Sequence, residues 1–214
     1  MSMSEKFQIR TKSHLLDLNI HSGHFATSHS HNNYYIDVTP QKTDLAHAKA
    51  VANALAENYK NSAMVDTILC LDGTEVIATC IADELTRTGS YSVNAGNPIS
   101  VLTPEYTTGS QLFFRDNIAP MISGKSVLLV AVSVVTGFTV KSAAEAVNYY
   151  GGQVVGVASI FATIKDVLGI PVVSVFNPND LPGYATFSPI ECPMCKKGER
   201  IDALVNSFGC SKLY

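Results

Sequence analysis

Charge is what this 214-residue chain has least of: Asp, Glu, Lys and Arg make up 15% of it, against about 25% in an average soluble protein. A basic excess is missing too. Fifteen Lys and Arg against 18 Asp and Glu give a formal net charge of −3, so there is no positive field to hold a nucleic-acid backbone or an anionic membrane. Long apolar runs are absent: the longest, Val127 to Val132, is interrupted at Ser133, far short of the roughly 20 residues a spanning helix needs. An even set of cysteines is lacking, since there are five, and the opening Met1 to Arg10 is polar with no apolar leader core. Together these point to a reducing cytoplasm rather than secretion. No lipidation signal, internal repeat, low-complexity run or linker is visible, which leaves one domain over residues 1–214.

What is present is an apolar chain, 46% hydrophobic, long enough to bury roughly 70% of its unfolded surface without disulfides or a structural metal. Short β-branched runs alternate with segments of helical period, the mark of α/β layering around a mainly parallel sheet. Leu45, Ala48, Ala52, Leu55 and Tyr59 recur at steps of three and four, which predicts a helix from Thr43 to Tyr59 with Thr43 as its cap. A strand at 67–71 runs through Asp72-Gly73-Thr74 into a helix ended by Gly89. The same unit recurs from Ser126 to Val132, through 133–138, into a helix over 139–150 closed by Gly151-Gly152. Val154 to Phe161 and Pro171 to Phe176 read as buried strands. Residues 99–103 and 111–115 read as a pair of strands flanking the loop 104–110.

Ligands of an open parallel sheet collect at the carboxyl ends of its strands, where loops meet helix N-termini that favour anions. Two loops fit, Leu71 to Glu75 and Ser133 to Thr139. In the second, Thr136, Gly137, Phe138 and Thr139 offer two hydroxyls, a glycine that permits close backbone approach, and a helix start. A phosphate fits there, and so does a plain strand-to-helix turn.

The run Val127 to Thr139 (VLLVAVSVVTGFT) resembles the phosphoribosyl pyrophosphate (PRPP) motif of type I phosphoribosyltransferases: a strand, two acidic residues, two hydroxyl residues, Gly, any residue, then Thr or Ser. Ser28 to Asp37 (SHSHNNYYID) is similar to the Ser-Gly-(Lys/Arg)-His-Ser-x-Tyr-Tyr-x-Asp segment of the orotate-specific members. Residues 66–78 sit where that family has its pyrophosphate loop, and Gly151 to Ala158 where it has the next helix end and strand. The resemblance implies an α/β core with helices on both faces, an N-terminal hood over 1–40 and a cysteine-bearing tail over 188–214. It also implies a cytoplasmic homodimer that joins orotate and PRPP, with Mg²⁺, into orotidine 5′-monophosphate and pyrophosphate. On that reading Thr136, Gly137, Phe138 and Thr139 take the 5′-phosphate. Asp72, Gly73 and Thr74 face the diphosphate, and Ser30, Tyr34 and Tyr35 face the base.

The departures matter as much. Ala131 and Val132 stand where the family has its acid pair, and the segment matching the catalytic loop, Thr103 to Gln111, has no Lys, Arg or His. Losing one preorganised charge from such a site costs about 3 kcal/mol, or ~100-fold or more in rate. Several losses imply little ordinary activity and assign no catalytic residue. Two functions therefore stay open: a transferase with an altered site, and a non-catalytic descendant that binds a nucleotide, another phosphorylated ligand or a protein.

Cys192-Pro193-Met194-Cys195 has the spacing of half a tetrahedral zinc site. Cys210, Cys70, Cys80, a histidine or the same knuckle of a second subunit could complete it; two reduced thiols in a turn is the plainer reading. Five of six histidines, His14, His21, His24, His29 and His31, fall in the first 31 residues. Their spacing suits polar loop and hood positions rather than a metal site.

Overall fold

The computed structural model describes residues 6–10, 16–89 and 91–213; His14 lies outside them. The chain opens with strands β1 (Lys6–Arg10), β2 (Asp17–Ala26) and β3 (His31–Asp37). Helices α1 (Thr39–Thr43) and α2 (Leu45–Ala56) lead to β4 (Thr67–Cys70), α3 (Glu75–Thr86), β5 (Ser100–Leu102), β6 (Glu105–Tyr106) and β7 (Leu112–Phe113). Next come β8 (Ser126–Val134), α4 (Phe138–Tyr149), β9 (Gln153–Ala162), β10 (Asp166–Val167) and β11 (Ile170–Phe176). The chain finishes with β12 (Thr186–Phe187), the short α5 (Pro193–Lys196), β13 (Ala203–Asn206) and β14 (Gly209–Lys212). These form two compact units, Gln41–Asn177 and a second that joins Met1–Pro40 to Pro178–Tyr214. No helix among the described residues is long and apolar enough to cross a membrane.

The unit of 41–177 holds the α/β sheet, in the order β10-β11-β9-β8-β4-β5, parallel except for β10 at the edge. Its strands are apolar on both sides, as a sheet covered on both faces requires. Val127, Leu129 and Ala131 of β8 join Val140, Ala143 and Val147 of α4 in one core cluster. Side chains alternate across a strand, so Leu128 and Val130 turn to the opposite face. There Tyr59, just past α2, lies against Gly156, the register partner of Leu128, and donates to the Val157 carbonyl at 2.9 Å. A side chain at 156 would displace that ring.

Two helical details differ from the sequence expectation. Asp44, not Thr43, caps α2, its carboxylate accepting from the His47 N–H at 3.0 Å, because the chain first makes the separate turn α1. Leu45 consequently falls on the outer side of the first turn and is exposed. The strands near 99–103 and 111–115 do not pair with one another: β5 joins the parallel sheet beside β4, while β6 and β7 make their own hairpin. The pairing partner of β7 thus comes from within the segment read as loop.

The other unit is built on a mainly antiparallel sheet, β12-β3-β2-β13-β14, with β1 on β2. Leu18 and Ile20 alternate into its core along β2. The C-terminal segment joins this sheet, with β13 parallel to β2 at Ala203 and Leu204. Its docking is held by a reciprocal pair: the Asp202 N–H donates to the His24 carbonyl and the His24 N–H to the Asp202 carboxylate, both at 2.8 Å.

Candidate functional site

In the parallel sheet, β5 lies on one side of β4, and β8, β9 and β11 follow on the other. The strand order therefore reverses between β4 and β8, and the crevice beyond the carboxyl ends of these neighbours is where an open α/β sheet takes a ligand. The two loops singled out in the sequence leave the sheet there. After β4 the chain turns through Asp72 (φ 62°) and Gly73 (φ 73°), both left-handed. Thr74 is buried, its hydroxyl 2.8 Å from the Leu71 carbonyl and 2.9 Å from that of Val130. That hydroxyl ties the β4 loop to β8 and is turned away from a ligand.

After β8 the loop is pinned by Thr163, which donates to the carbonyls of Val134 (through N–H, 3.0 Å) and Val135 (through Oγ1, 2.8 Å). Gly137 caps α4 with φ 74°, and no side chain caps the first turn. A Cβ at 137 would lie 2.9 Å from Val167 and 3.1 Å from Ile164, so glycine is required there by both conformation and space. The first-turn amides of a helix have no partner within it. Thr136, Gly137 and Thr139 thus stand at the N-terminus of α4, and Phe138 between them is 59% exposed.

Ala131 and Val132 are 1% and 4% exposed, and Ala131 belongs to the α4-side core. No carboxylate could replace them without losing its water. Opposite Ala131, the buried Ser159 hydroxyl donates within the sheet, 2.8 Å from the Phe161 carbonyl. The acids nearest the first loop are Asp72 and Glu75, the latter accepting from the Thr103 hydroxyl at 3.1 Å. Sequence reading missed one cation: Lys42, at the end of α1, donates to the Asp72 carbonyl at 2.6 Å. Burial lowers its pKa, against the opposing pull of Asp72 and Glu75. Thirty residues of separation hid it. Tyr106 of β6 is held protonated by burial and by Asp72.

The residues assigned to the base lie in the other unit. Ser30 is buried in the β2–β3 turn, its Oγ 3.0 Å from that of Thr27. The Tyr34 hydroxyl donates to the Pro182 carbonyl at 2.9 Å. Tyr35 stacks on His21 at 5.9 Å, and burial, then Asp37 and Cys210, push its pKa up to about 12. Also in this unit, Cys192 and Cys195 come together with His24 and His31, four ligand atoms within 4.8 Å of one another. The histidine spacing had suggested polar loop positions, but His24 and His31 are buried. The hairpin brings them together: Ala26 pairs with His31, and the irregular register between Ser22 and Phe25 sets the His24 ring 5.1 Å from that of His31.

No family model matches the chain. It is 28% identical over 191 residues to the orotate phosphoribosyltransferase of Sulfurimonas denitrificans, covering 82% of this chain and 87% of that protein. Among solved structures, a phosphoribosyltransferase from Corynebacterium diphtheriae superposes with a TM-score of 0.53 at 21% identity, over 73% of this chain and 89% of the other. The orotate phosphoribosyltransferase of Mycobacterium tuberculosis H37Rv, solved with PRPP, gives 0.52 at 20% identity, over 69% and 82%. At these identities the structural likeness establishes the fold, and the curated relative carries the likeness in sequence. In fold the chain resembles the phosphoribosyltransferases, and in sequence it is similar to an orotate phosphoribosyltransferase.

Proposed function

We propose that this chain binds a phosphorylated small molecule of the PRPP or nucleotide class, and that its transfer of phosphoribose to orotate is strongly reduced. The observation that carries this reading is the pair Ala131 and Val132, apolar and buried in β8 where the family has its acids. Thr136, Gly137 and Thr139 receive the phosphate at the N-terminus of α4, beside Phe138. Asp72 and Gly73 form the diphosphate side with Thr74 as their anchor, and Ser30, Tyr34 and Tyr35 are the base-side residues. The family's Mg²⁺ does not fit: methyl groups stand in place of the carboxylates that would help hold it, so binding proceeds without that metal. On this reading the protein would work as a homodimer in the cytoplasm.

One observation favours a second reading, residual transfer. Lys42, against the Asp72 carbonyl, is a cation at the loop where diphosphate would leave, the role the basic catalytic loop fills elsewhere in the family. Calorimetry with PRPP, with and without Mg²⁺, beside an orotate turnover assay, separates the two. We expect binding that Mg²⁺ does not strengthen, with no turnover. Mg²⁺-dependent binding with turnover, abolished in Lys42→Met, would establish the second reading instead. An absence of binding to PRPP and to nucleotides would leave a protein-interaction role.

A further inference from the structure

The Cys192-x-x-Cys195 knuckle is two ligands short in sequence, and the fold supplies both from the β2–β3 hairpin. His24 Nε2 lies 3.1 Å from His31 Nδ1, 3.5 Å from Cys192 Sγ and 3.6 Å from Cys195 Sγ; His31 Nδ1 lies 3.3 Å from Cys195 Sγ. A tetrahedral ion with Zn–N near 2.0 Å and Zn–S near 2.3 Å separates its ligand atoms by roughly 3.3 Å (N–N), 3.6 Å (N–S) and 3.8 Å (S–S). The His24–His31 and three histidine–cysteine separations lie within about 0.3 Å of these values, and all four ligand atoms lie within 4.8 Å of one another. Ordinary hydrogen bonding does not account for them, because one imidazole nitrogen cannot serve three partners crowded on the same point.

We propose that His24, His31, Cys192 and Cys195 form a structural zinc site. Two thiolates and two neutral imidazoles around Zn²⁺ carry no net charge, which suits a place where His24 is 3% and Cys192 0% exposed. On binding, each thiol loses its proton to solvent. The surroundings are set for this ligation. His24 Nδ1 is 3.2 Å from the Glu199 carbonyl, and an N–H donated there fixes the tautomer whose Nε2 lone pair faces the ion. Glu199 is itself fastened to the knuckle, its N–H donating to the Met194 carbonyl at 3.0 Å. The knuckle closes through the Lys196 N–H to the Cys192 carbonyl (3.1 Å) and Gly198, at φ 75°, to that of Cys195 (2.9 Å). With all four positions filled by protein, the ion would have no open site for substrate. Its work is to join α5 and the segment leading into β13 to the hairpin whose turn carries Ser30. The site stands independently of any ligand bound by the parallel sheet.

The test uses untagged full-length protein purified without chelator. Elemental analysis is expected to give about one zinc per chain, falling below about a tenth in Cys195→Ser and His31→Ala and unchanged in the control His47→Ala. Replacement by Co²⁺ should give the visible spectrum of a tetrahedral S₂N₂ site. Cys195 is exposed, so it should alkylate slowly in the metal-loaded protein and rapidly after chelation, with circular dichroism confirming that the chelated chain stays folded. A zinc-free protein that takes up neither Zn²⁺ nor Co²⁺ after reduction would overturn the proposal. So would full zinc content in folded Cys195→Ser, or stoichiometric iron in place of zinc. PRPP binding is not read in this experiment, so its outcome leaves the functional proposal untouched.

Discussion

The two units of the chain treat their polar side chains in opposite ways. At the carboxyl edge of the parallel sheet, the positions to which the resemblance assigns an acid pair hold Ala131 and Val132, and the only hydroxyl of the first loop, Thr74, is turned into the sheet. In the antiparallel unit, four soft donors from positions as far apart as 24 and 195 converge within 4.8 Å. One region has buried apolar side chains where a hard cation would need acids. The other has gathered the groups that hold a soft one. The contrast teaches that the apolar positions on β8 do not reflect a chain without placed polar groups, because four of them converge in the other unit.

The sharpest way to break this comparison is to restore the missing acid. In Ala131→Asp a carboxylate enters a position 1% exposed, and we expect a loss on the order of 5 kcal/mol in urea denaturation, with no gain of Mg²⁺-dependent PRPP binding. A stable variant that binds PRPP with Mg²⁺ would mean that β8 still accepts the acid, and the contrast would dissolve. Removing the ion from the cysteine–histidine cluster comes next. An ion bound only by the folded chain stabilises it by about 4 kcal/mol at a free concentration a thousandfold above Kd. Chelation should accordingly lower the thermal midpoint, and added Zn²⁺ should restore it; an unchanged midpoint would show that the hairpin and tail hold without the ion.

A smaller effect is expected at the phosphate loop. Gly137→Ala forces a side chain into φ 74° and to within 2.9 Å of Val167, which should cost about 1–3 kcal/mol and weaken phosphate-ligand binding. An equally stable variant with undiminished affinity would show that the loop does not use its backbone as the binding surface. The mildest probe is alkaline titration. Burial pushes both Tyr35 and Tyr184 up to about 12, against about 10 in the unfolded chain. The folded state thus keeps protons that the unfolded state releases. Their contribution to stability is complete below about pH 10 and is lost as the pH rises through 12. An ultraviolet titration in which every tyrosine ionises near pH 10 would show that this unit is more open than its contacts imply.

Much of the parallel unit could be read from the chain. The runs at 67–71, 126–132, 154–161 and 171–176 are β-branched and apolar, and each became a strand within two residues at its ends. Local chemistry was decisive there, since a strand buried on both faces has a composition of its own. Where a choice depended on neighbours, the chain was ambiguous. Thr43 and Asp44 are both good caps, and only the extra turn at 39–43 selects the second. Residues 99–103 and 111–115 read as a pair of strands flanking the loop 104–110, and closure of the short β6–β7 hairpin instead puts a strand at 105–106.

By itself the sequence determined the α/β alternation, the glycine-bearing turn before α4, the absence of acids at 131 and 132, and the Cys-x-x-Cys half-site. These are statements about composition at a position, or about spacing within one element. Tertiary structure alone decided that Lys42 reaches Asp72, that β13 lies along β2, and that His24 and His31 face Cys192 and Cys195. Each of those depends on strand register or chain crossing. A histidine two positions before a turn has no mark of its own until the opposite strand is set beside it, and a ligand 168 residues away has none until the sheet is closed.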